Sequence, residues 1–216
     1  MLKADFHTHS VASPDGGISA EDYRQLLDSG KLDYVAVTDH NQIDFALQLH
    51  QELGDKIIIG EEVMTTEGEL IGLFLTKRVE PGLTAQQTAQ AIRAQGGLVY
   101  LPHPFETIRH GVQATTLDAM PELIDIVEAH NGRAVLQNRS PQALTWATLH
   151  KKPTAASSDA HGAKGVGHTY TVVDQPLAKG TLLSVLIQAQ LVHGRPPLIS
   201  LTYPKVNRLK NKLRAR

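Results

Sequence analysis

The chain has 216 residues, of which 41% are hydrophobic and 20% charged, with a formal net charge of −1; this composition excludes an intrinsically disordered chain. It contains no cysteine, which excludes disulfides, thiolate catalysis, iron–sulfur clusters and cysteine-ligated zinc. It has no uncharged apolar run of about 18 residues that could span a bilayer, and an acid and two histidines occupy the place of a secretory apolar stretch. We therefore expect a cytoplasmic protein with no membrane partner.

Short apolar runs alternate with amphipathic stretches, a pattern typical of parallel strands joined by helices. Strands are predicted, in chain order, at residues 4–6, 34–37, 57–59, 70–75, 98–101, 124–127, 154–156 and 170–173. Helices are predicted to begin at the capping-box pairs Ser19 with Asp22 and Thr84 with Gln87, at Ser140 before Pro141, and at residue 179 for a last long helix ending at His193. We predict one α/β domain over residues 1–204, with seven or eight βα units closed into a barrel. A doubly wound open sheet is the alternative.

The last twelve residues, 205–216, form a basic segment, KVNRLKNKLRAR. Because the whole chain carries −1 and this segment contributes +6, residues 1–204 carry −7. We expect a solvated terminal helix whose removal leaves turnover of a small substrate unchanged. Contact with nucleic acid or with another subunit is the alternative role for this segment.

Residue types that bind metals follow six of the apolar runs. They are His7 and His9; Asp39 and His40; Glu61 and Glu62; His103; Glu128, His130 and Asn131; and Asp159 and His161. Because the C-terminal ends of parallel strands share one face of a barrel, these side chains are expected to converge. In His-x-His and Asp-x-His on an extended chain, both side chains lie on the same side of the strand and can bind one ion.

The number of candidate ligands predicts more than one ion. Zinc takes about four ligands and manganese or iron about six, fewer than the imidazoles and carboxylates gathered here. A cluster of two or three divalent ions can hold both the attacking and the leaving oxygen of a phosphate ester. We expect His50, His150 and His193, which lie in helical stretches, to be surface residues.

The motifs DFHTHS, TDHN, GEEV, LPHPF, EAHN and SSDAH occur in this order over residues 5–161. Through these six motifs the chain resembles the PHP (polymerase and histidinol phosphatase) superfamily. The resemblance implies a distorted (β/α)7 barrel, phosphoesterase chemistry and a trinuclear site of zinc, manganese or iron at the C-terminal ends of the strands. It implies one ion on His7, His9, Glu62 and Asp159, a second on Glu62, His103 and His130, and a third on Asp15, His40 and His161.

The resemblance also bears on the acids around these ligands. Its Gly-x-Glu spacing favours Glu62 over Glu61 as the bridging ligand. Asp5 and Asp39 are expected to orient imidazoles, with a plain loop role as the alternative for Asp39. Glu69 stands where some members of the superfamily carry a histidine, which is a departure on the substrate side of the site.

The preferred hypothesis is a metal-dependent phosphoesterase that hydrolyses a small phosphomonoester, such as a nucleotide or a 3′,5′-bisphosphate, by metal-activated water. The candidate catalytic residues are Glu62, Asp159 and His161, and the candidate substrate-binding residues are Arg109, Arg133 and Asn131. Arginine suits this role because it binds phosphate through bidentate hydrogen bonds. The alternatives are a nuclease or 5′ exonuclease that uses the same cluster, and a noncatalytic module that the metal stabilises. The chain has no P-loop, G-x-S-x-G or G-x-G-x-x-G motif, so three other enzyme classes lack support: nucleoside triphosphatases, serine hydrolases and dinucleotide enzymes.

Overall fold

The computed structural model describes residues 1–135 and 137–214. Its nine strands are β1 (Leu2–Asp5), β2 (Tyr34–Val37), β3 (Ile57–Thr65), β4 (Gly68–Leu73), β5 (Leu98–Leu101), β6 (Ile126–Asn131), β7 (Thr154–Ser157), β8 (Thr169–Val173) and β9 (Gln190–His193). Its seven α-helices are α1 (Ala20–Asp28), α2 (Asp44–Leu53), α3 (Ala85–Ala94), α4 (Ala114–Asp118), α5 (Ser140–Leu149), α6 (Leu182–Ile187) and α7 (Tyr203–Arg214). Among the described residues, no helix is both long and apolar enough to cross a membrane.

The strands form one mixed sheet in the order β7-β6-β5-β4-β3-β2-β1-β8-β9. Strands β1, β2 and β3 pair in parallel, as do β5, β6 and β7, while β4 is antiparallel to both of its neighbours. The six strands predicted to end in metal-binding residues therefore all run in the same direction. Because β4 runs the opposite way, its first residues lie at the end of the barrel where those six strands finish.

The sheet curls until its two halves meet. Thr8, just after β1, forms a parallel bridge with Ala160, just after β7. The Ala156 backbone N–H donates to Thr171 Oγ1 at 2.9 Å, which joins β7 to β8. This nearly closed barrel confirms the predicted barrel in place of the open sheet. It is not a set of regular βα repeats, since β3 and β4 form a hairpin and β8 and β9 pair antiparallel.

Aromatic side chains fill the barrel interior. Phe6 follows β1 and Tyr100 lies on β5, with three strands between them in the sheet, yet their ring centroids are 6.3 Å apart and both residues are fully buried. They therefore meet across the interior, where burial of each ring contributes up to about 3 kcal/mol. A separate apolar cluster on the outer face of the sheet holds Ile92 of α3 and Trp146 of α5.

Local sequence signals locate two helix starts correctly. Ser19 and Thr84 each cap their helix, and both capping boxes are complete. The predicted helix over residues 179–193 is wrong, because the helix is limited to α6 and Gln190–His193 forms β9. Pairing of β9 with β8, with Tyr170 opposite Val192, overrides the local helical pattern.

The basic segment 205–216 is helical over its described part, as expected, but it is not an independent tail. Helix α7 begins at Tyr203, and Asn211 Nδ2 donates to the Pro14 carbonyl oxygen at 3.0 Å. A Cβ atom added at Gly162 would lie 2.5 Å from the Tyr203 ring, so glycine allows the helix to approach this closely. The expectation of a freely solvated helix is therefore corrected: α7 packs on the barrel. Residues 215–216 lie outside the described residues.

Candidate metal centre

Buried imidazoles and carboxylates from several strand ends meet at one end of the barrel. His7 and His9 follow β1 and are fully buried, and Glu62 lies within β3 with 1% of its surface exposed. The His7 and His9 Nε2 atoms are 3.1 Å apart. Glu62 Oε1 lies 3.3 Å from His7 Nε2, and Glu62 Oε2 lies 3.3 Å from His9 Nε2. Asp159 Oδ1 completes the group at 3.7 and 3.5 Å from the same two nitrogens.

These separations suit a divalent ion. Two ligands about 2.0–2.1 Å from a tetrahedral zinc ion are about 3.3 Å apart, and the distances between the ligand atoms of this group run from 3.1 to 3.7 Å. The donors are imidazole nitrogens and carboxylate oxygens, a set that suits zinc, manganese or iron. His7, His9, Glu62 and Asp159 can therefore hold an ion in the combination that the resemblance implied.

Two further groups share Glu62 with the first. Glu62 Oε1 is 3.1 Å from His103 Nε2, and Glu62 Oε2 is 3.2 Å from His40 Nδ1. Asp15 Oδ1 then lies 3.5 Å from His40 Nε2 and 3.5 Å from His161 Nε2. The geometry favours Glu62 as the bridging carboxylate, because its two oxygens face different sets of imidazoles. Glu61 points away and accepts a hydrogen bond from the Val79 N–H.

His130 is the one expected ligand that the structure does not bring to this cluster. Asp15 lies 3.5 Å from His40 and from His161, whereas, among the described residues, His130 makes no ion pair with the clustered carboxylates. Its ring stacks on that of His193 with the centroids 5.0 Å apart. A β-bulge between Glu128 and His130 shifts the alternation of side chains on β6, so that Asn131 rather than His130 contacts the site. His193 is exposed, as expected, but it lies on β9 and not in a helix, and its ring stacks on that of His130.

Glu69 lies in the cluster, although the sequence singled it out only because some members of the superfamily carry a histidine at its position. It lies at the start of β4, with Oε1 3.6 Å from His40 Nδ1 and Oε2 3.7 Å from His103 Nε2. Burial, together with the nearby charges of Glu62 and Asp159, raises the pKa of Glu69 to about 10. Ionised carboxylates that are buried close together repel one another, and bound cations would compensate for their negative charge.

Glu128 is the carboxylate that orients an imidazole, a role expected of Asp5 and Asp39. Glu128 Oε1 lies 3.2 Å from His7 Nδ1, and Oε2 accepts the His103 backbone N–H at 2.6 Å. A proton on His7 Nδ1 leaves the Nε2 lone pair free for an ion. The other two carboxylates bond elsewhere: Asp5 accepts the His7 and Ser158 backbone N–H groups, and Asp39 accepts the Ser10 N–H and hydroxyl.

The three expected substrate-binding residues surround Asp159. Arg109 Nη1 donates to Asp159 Oδ2 at 2.8 Å, and Arg133 Nη1 donates to Asp159 Oδ1 at 3.3 Å. Asn131 is buried, and its amide donates to Glu128 at 2.9 Å and to Asp159 at 3.3 Å. The two arginines also line the open pocket, whereas Asn131 lies behind it and holds two carboxylates in place.

The pocket over these ligands has a volume of about 270 Å³. Its walls include Asp15, His40, Glu62, Glu69, His103, Ile108, Arg109, His110, Arg133, Asp159, His161, Leu201, Pro204, Lys205 and Arg208. Helix α7 therefore forms one wall, a contribution that no motif indicated. Arg208 Nη2 is 2.7 Å from Asp15 Oδ2, and Asn207 Nδ2 donates to the Asp15 and His161 carbonyl oxygens at 3.0 Å each.

Comparison with known proteins shows the family and the fold of this chain. A family model described as PHP-associated matches residues 138–189. An uncharacterized protein of Methanocaldococcus jannaschii is 34% identical over 150 residues, which cover 63% of this chain and 88% of that protein. This chain belongs to the PHP superfamily. Two solved structures share the fold of this PHP chain, at TM-scores of 0.69 and 0.60 and identities of 19% and 16%.

The first of these structures is a two-domain protein of Bacteroides vulgatus that contains a predicted PHP-like metal-dependent phosphoesterase; the match covers 89% of this chain and 65% of that one. The second is a Bifidobacterium adolescentis protein considered a metal-dependent phosphoesterase, with 91% and 97% covered. At these identities the likeness shows the fold, and the clustered ligands are the groups of this chain that could hold metal ions.

Proposed function

We propose that this PHP protein is a metal-dependent phosphoesterase that removes the phosphate from a small phosphomonoester. The observation that carries the proposal is a pocket of about 270 Å³ whose floor is the ligand cluster and whose walls carry four basic side chains. They are Arg109, Arg133, Lys205 and Arg208. This volume is just below the usual range for small-molecule sites, about 300–1,000 Å³, and supports a compact substrate.

Charge supports a phosphate ligand. Four carboxylates, from Asp15, Glu62, Glu69 and Asp159, line the pocket together with the four basic side chains. A further carboxylate, Glu106, pairs with Arg109, so the carboxylates outnumber the basic groups. Two or three divalent ions on the ligand cluster would make the pocket strongly positive, as a phosphate dianion requires. When bound, such ions supply Lewis-acid stabilisation of the phosphate charge and lower the pKa of a water molecule that attacks phosphorus.

The side chains of this protein would bind the phosphate group of the substrate and orient the metal ligands. Arg133 reaches Asp159 from the pocket side, so its remaining N–H groups can donate to the phosphate oxygens. Arg109 has one N–H group left for this role, because the others donate to Glu106, Asn131 and Asp159. Glu128 fixes the His7 ring, and Asn131 holds Glu128 and Asp159. Burial, together with the neighbouring His9, lowers the pKa of His161 to about 3, so the ring is neutral and can act as a ligand near neutral pH. Glu62, Asp159 and His161 remain the proposed catalytic residues.

The composition of the pocket favours a small substrate over a nucleic acid strand. Among residues 1–135 and 137–214, no phenylalanine, tyrosine or tryptophan lines it, whereas proteins that bind single strands stack bases on aromatic rings. The nuclease alternative therefore depends on the ligand cluster and the basic helix alone. A nucleotide or a 3′,5′-bisphosphate stays within the proposed substrate class.

The test compares kcat/KM for mononucleotides, a 3′,5′-bisphosphate, sugar phosphates and a single-stranded oligonucleotide, at one salt concentration and with the metal content measured. Asp159→Asn serves as the blank, and Lys210→Ala serves as a control for loss of a positive charge of α7 outside the pocket lining. We expect a small phosphomonoester to be the best substrate. A tenfold advantage for the oligonucleotide that collapses in high salt would establish the nuclease instead. No turnover by the metal-loaded protein would favour the noncatalytic module.

A further inference from the structure

Helix α7 presents two basic side chains to the pocket. Lys205 and Arg208 both line it, and a spacing of three residues places them on the same face of the helix. Lys210 of the same helix is exposed and, within the described part of the chain, lies outside the pocket lining. The two pocket-facing residues are thus distinguished by position from the other charges of this basic segment.

These two side chains are separated from the arginines that surround Asp159. Arg133 Nη1 lies 3.3 Å from Asp159 Oδ1, while Arg208 Nη2 lies 2.7 Å from Asp15 Oδ2. The imidazole of His161 stands between the two carboxylates, 3.5 Å from each. The pocket therefore has two basic regions on opposite sides of His161, one made by Arg109 and Arg133 and the other by Lys205 and Arg208.

A single phosphate at the ligand cluster does not need both regions. Arg109 and Arg133 already flank Asp159, one of the proposed ligands of an ion. The Arg208 guanidinium carries five N–H donors and is 62% exposed, so it can keep its bond to Asp15 and still donate to another anion. Lys205 is exposed beside it at the rim of the pocket.

We propose that Lys205 and Arg208 bind a second anionic group on the substrate, and that this protein prefers phosphomonoesters whose released part carries a phosphate or a carboxylate. The inference rests on the proposed function, since it concerns the part of the substrate that is not hydrolysed. It assigns α7 a role in substrate specificity.

The experiment uses the full-length, metal-loaded protein and three compounds: a sugar monophosphate, the matching sugar bisphosphate and a sugar-acid phosphate of the same size. The variants are Lys205→Ala, Lys205→Arg and the matched control Lys210→Ala. Arg208 is left intact because it also contacts Asp15. We expect the wild type to prefer a compound with two anionic groups. In Lys205→Ala this preference falls by about tenfold through KM, the effect of one charge-assisted hydrogen bond. Lys205→Arg should restore it, and Lys210→Ala should retain it.

Comparison of the two second groups identifies which anion is recognised, because the bisphosphate and the sugar-acid phosphate differ only there. The inference is overturned if Lys205→Ala and Lys210→Ala change the preference equally. It is also overturned if Lys205→Ala leaves KM unchanged for both compounds with two anionic groups. Calorimetric binding of the same compounds separates this failure from failure of the proposed function. If no compound is turned over but binding depends on Lys205, the proposed function fails and the anion site stands. If the compounds are turned over and neither KM nor binding depends on Lys205, the proposed function stands and the anion site fails.

Discussion

Asn207 joins the C-terminal helix to the metal centre, and replacing it with alanine tests that connection. Its Nδ2 group donates to the carbonyl oxygens of Asp15 and His161 at 3.0 Å each. Each hydrogen bond contributes about 1 kcal/mol, so Asn207→Ala should weaken the docking of α7 by about 2 kcal/mol. In a domain of this size, 1 kcal/mol corresponds to roughly 2–4 °C in Tm, which gives an expected decrease of about 4–8 °C in cooperative unfolding.

The assay is thermal unfolding followed by circular dichroism, with hydrogen exchange across residues 203–214 to detect local release of the helix. Asn211→Ala is the matched control, because Asn211 Nδ2 makes a single hydrogen bond, to the Pro14 carbonyl oxygen, and its effect should be about half as large. Gly17→Ala perturbs the same contact from the other side, since an added Cβ would lie 2.8 Å from Asn207 Nδ2. If Asn207→Ala unfolds within about 1 °C of the wild type and exchange in α7 is unchanged, the helix does not support the site.

Three further predictions concern the ions. Elemental analysis of the reconstituted protein should find at least two divalent ions per chain, with fewer in His7→Ala and Asp159→Asn; one equivalent or less in the wild type would contradict the cluster. Glu128→Ala should weaken metal affinity by about 10- to 100-fold, because the His7 ring loses its orienting carboxylate, whereas the exposed Glu80→Ala should bind metal as the wild type does in the same titration. Removing the ions with a chelator should lower Tm, since ligands that bind only the folded state stabilise it by about 4 kcal/mol at 1,000 times Kd; an unchanged Tm would mean that no ion supports the fold.

The sequence by itself predicted the barrel and most of the candidate ligands that cluster in the structure. Its apolar runs place β2 and β5 at their observed bounds, and its capping boxes locate the starts of α1 and α3. The polar residues after six strands converge because those strands are parallel, and parallel strands end at one face. These features are local or follow from strand direction, so the order of residue types is enough to reveal them.

Tertiary structure decided which neighbours these residues have. The bulge in β6 turns His130 away from the cluster, a shift of one residue that no side-chain pattern records. The reversed direction of β4 brings Glu69 into the site. Helix α7 returns across more than 190 positions of sequence to contact Asp15 through Asn207 and Arg208. Contacts of this kind depend on how distant segments pack, because bulges, strand reversals and helix docking are set by the whole chain and not by the residues beside them.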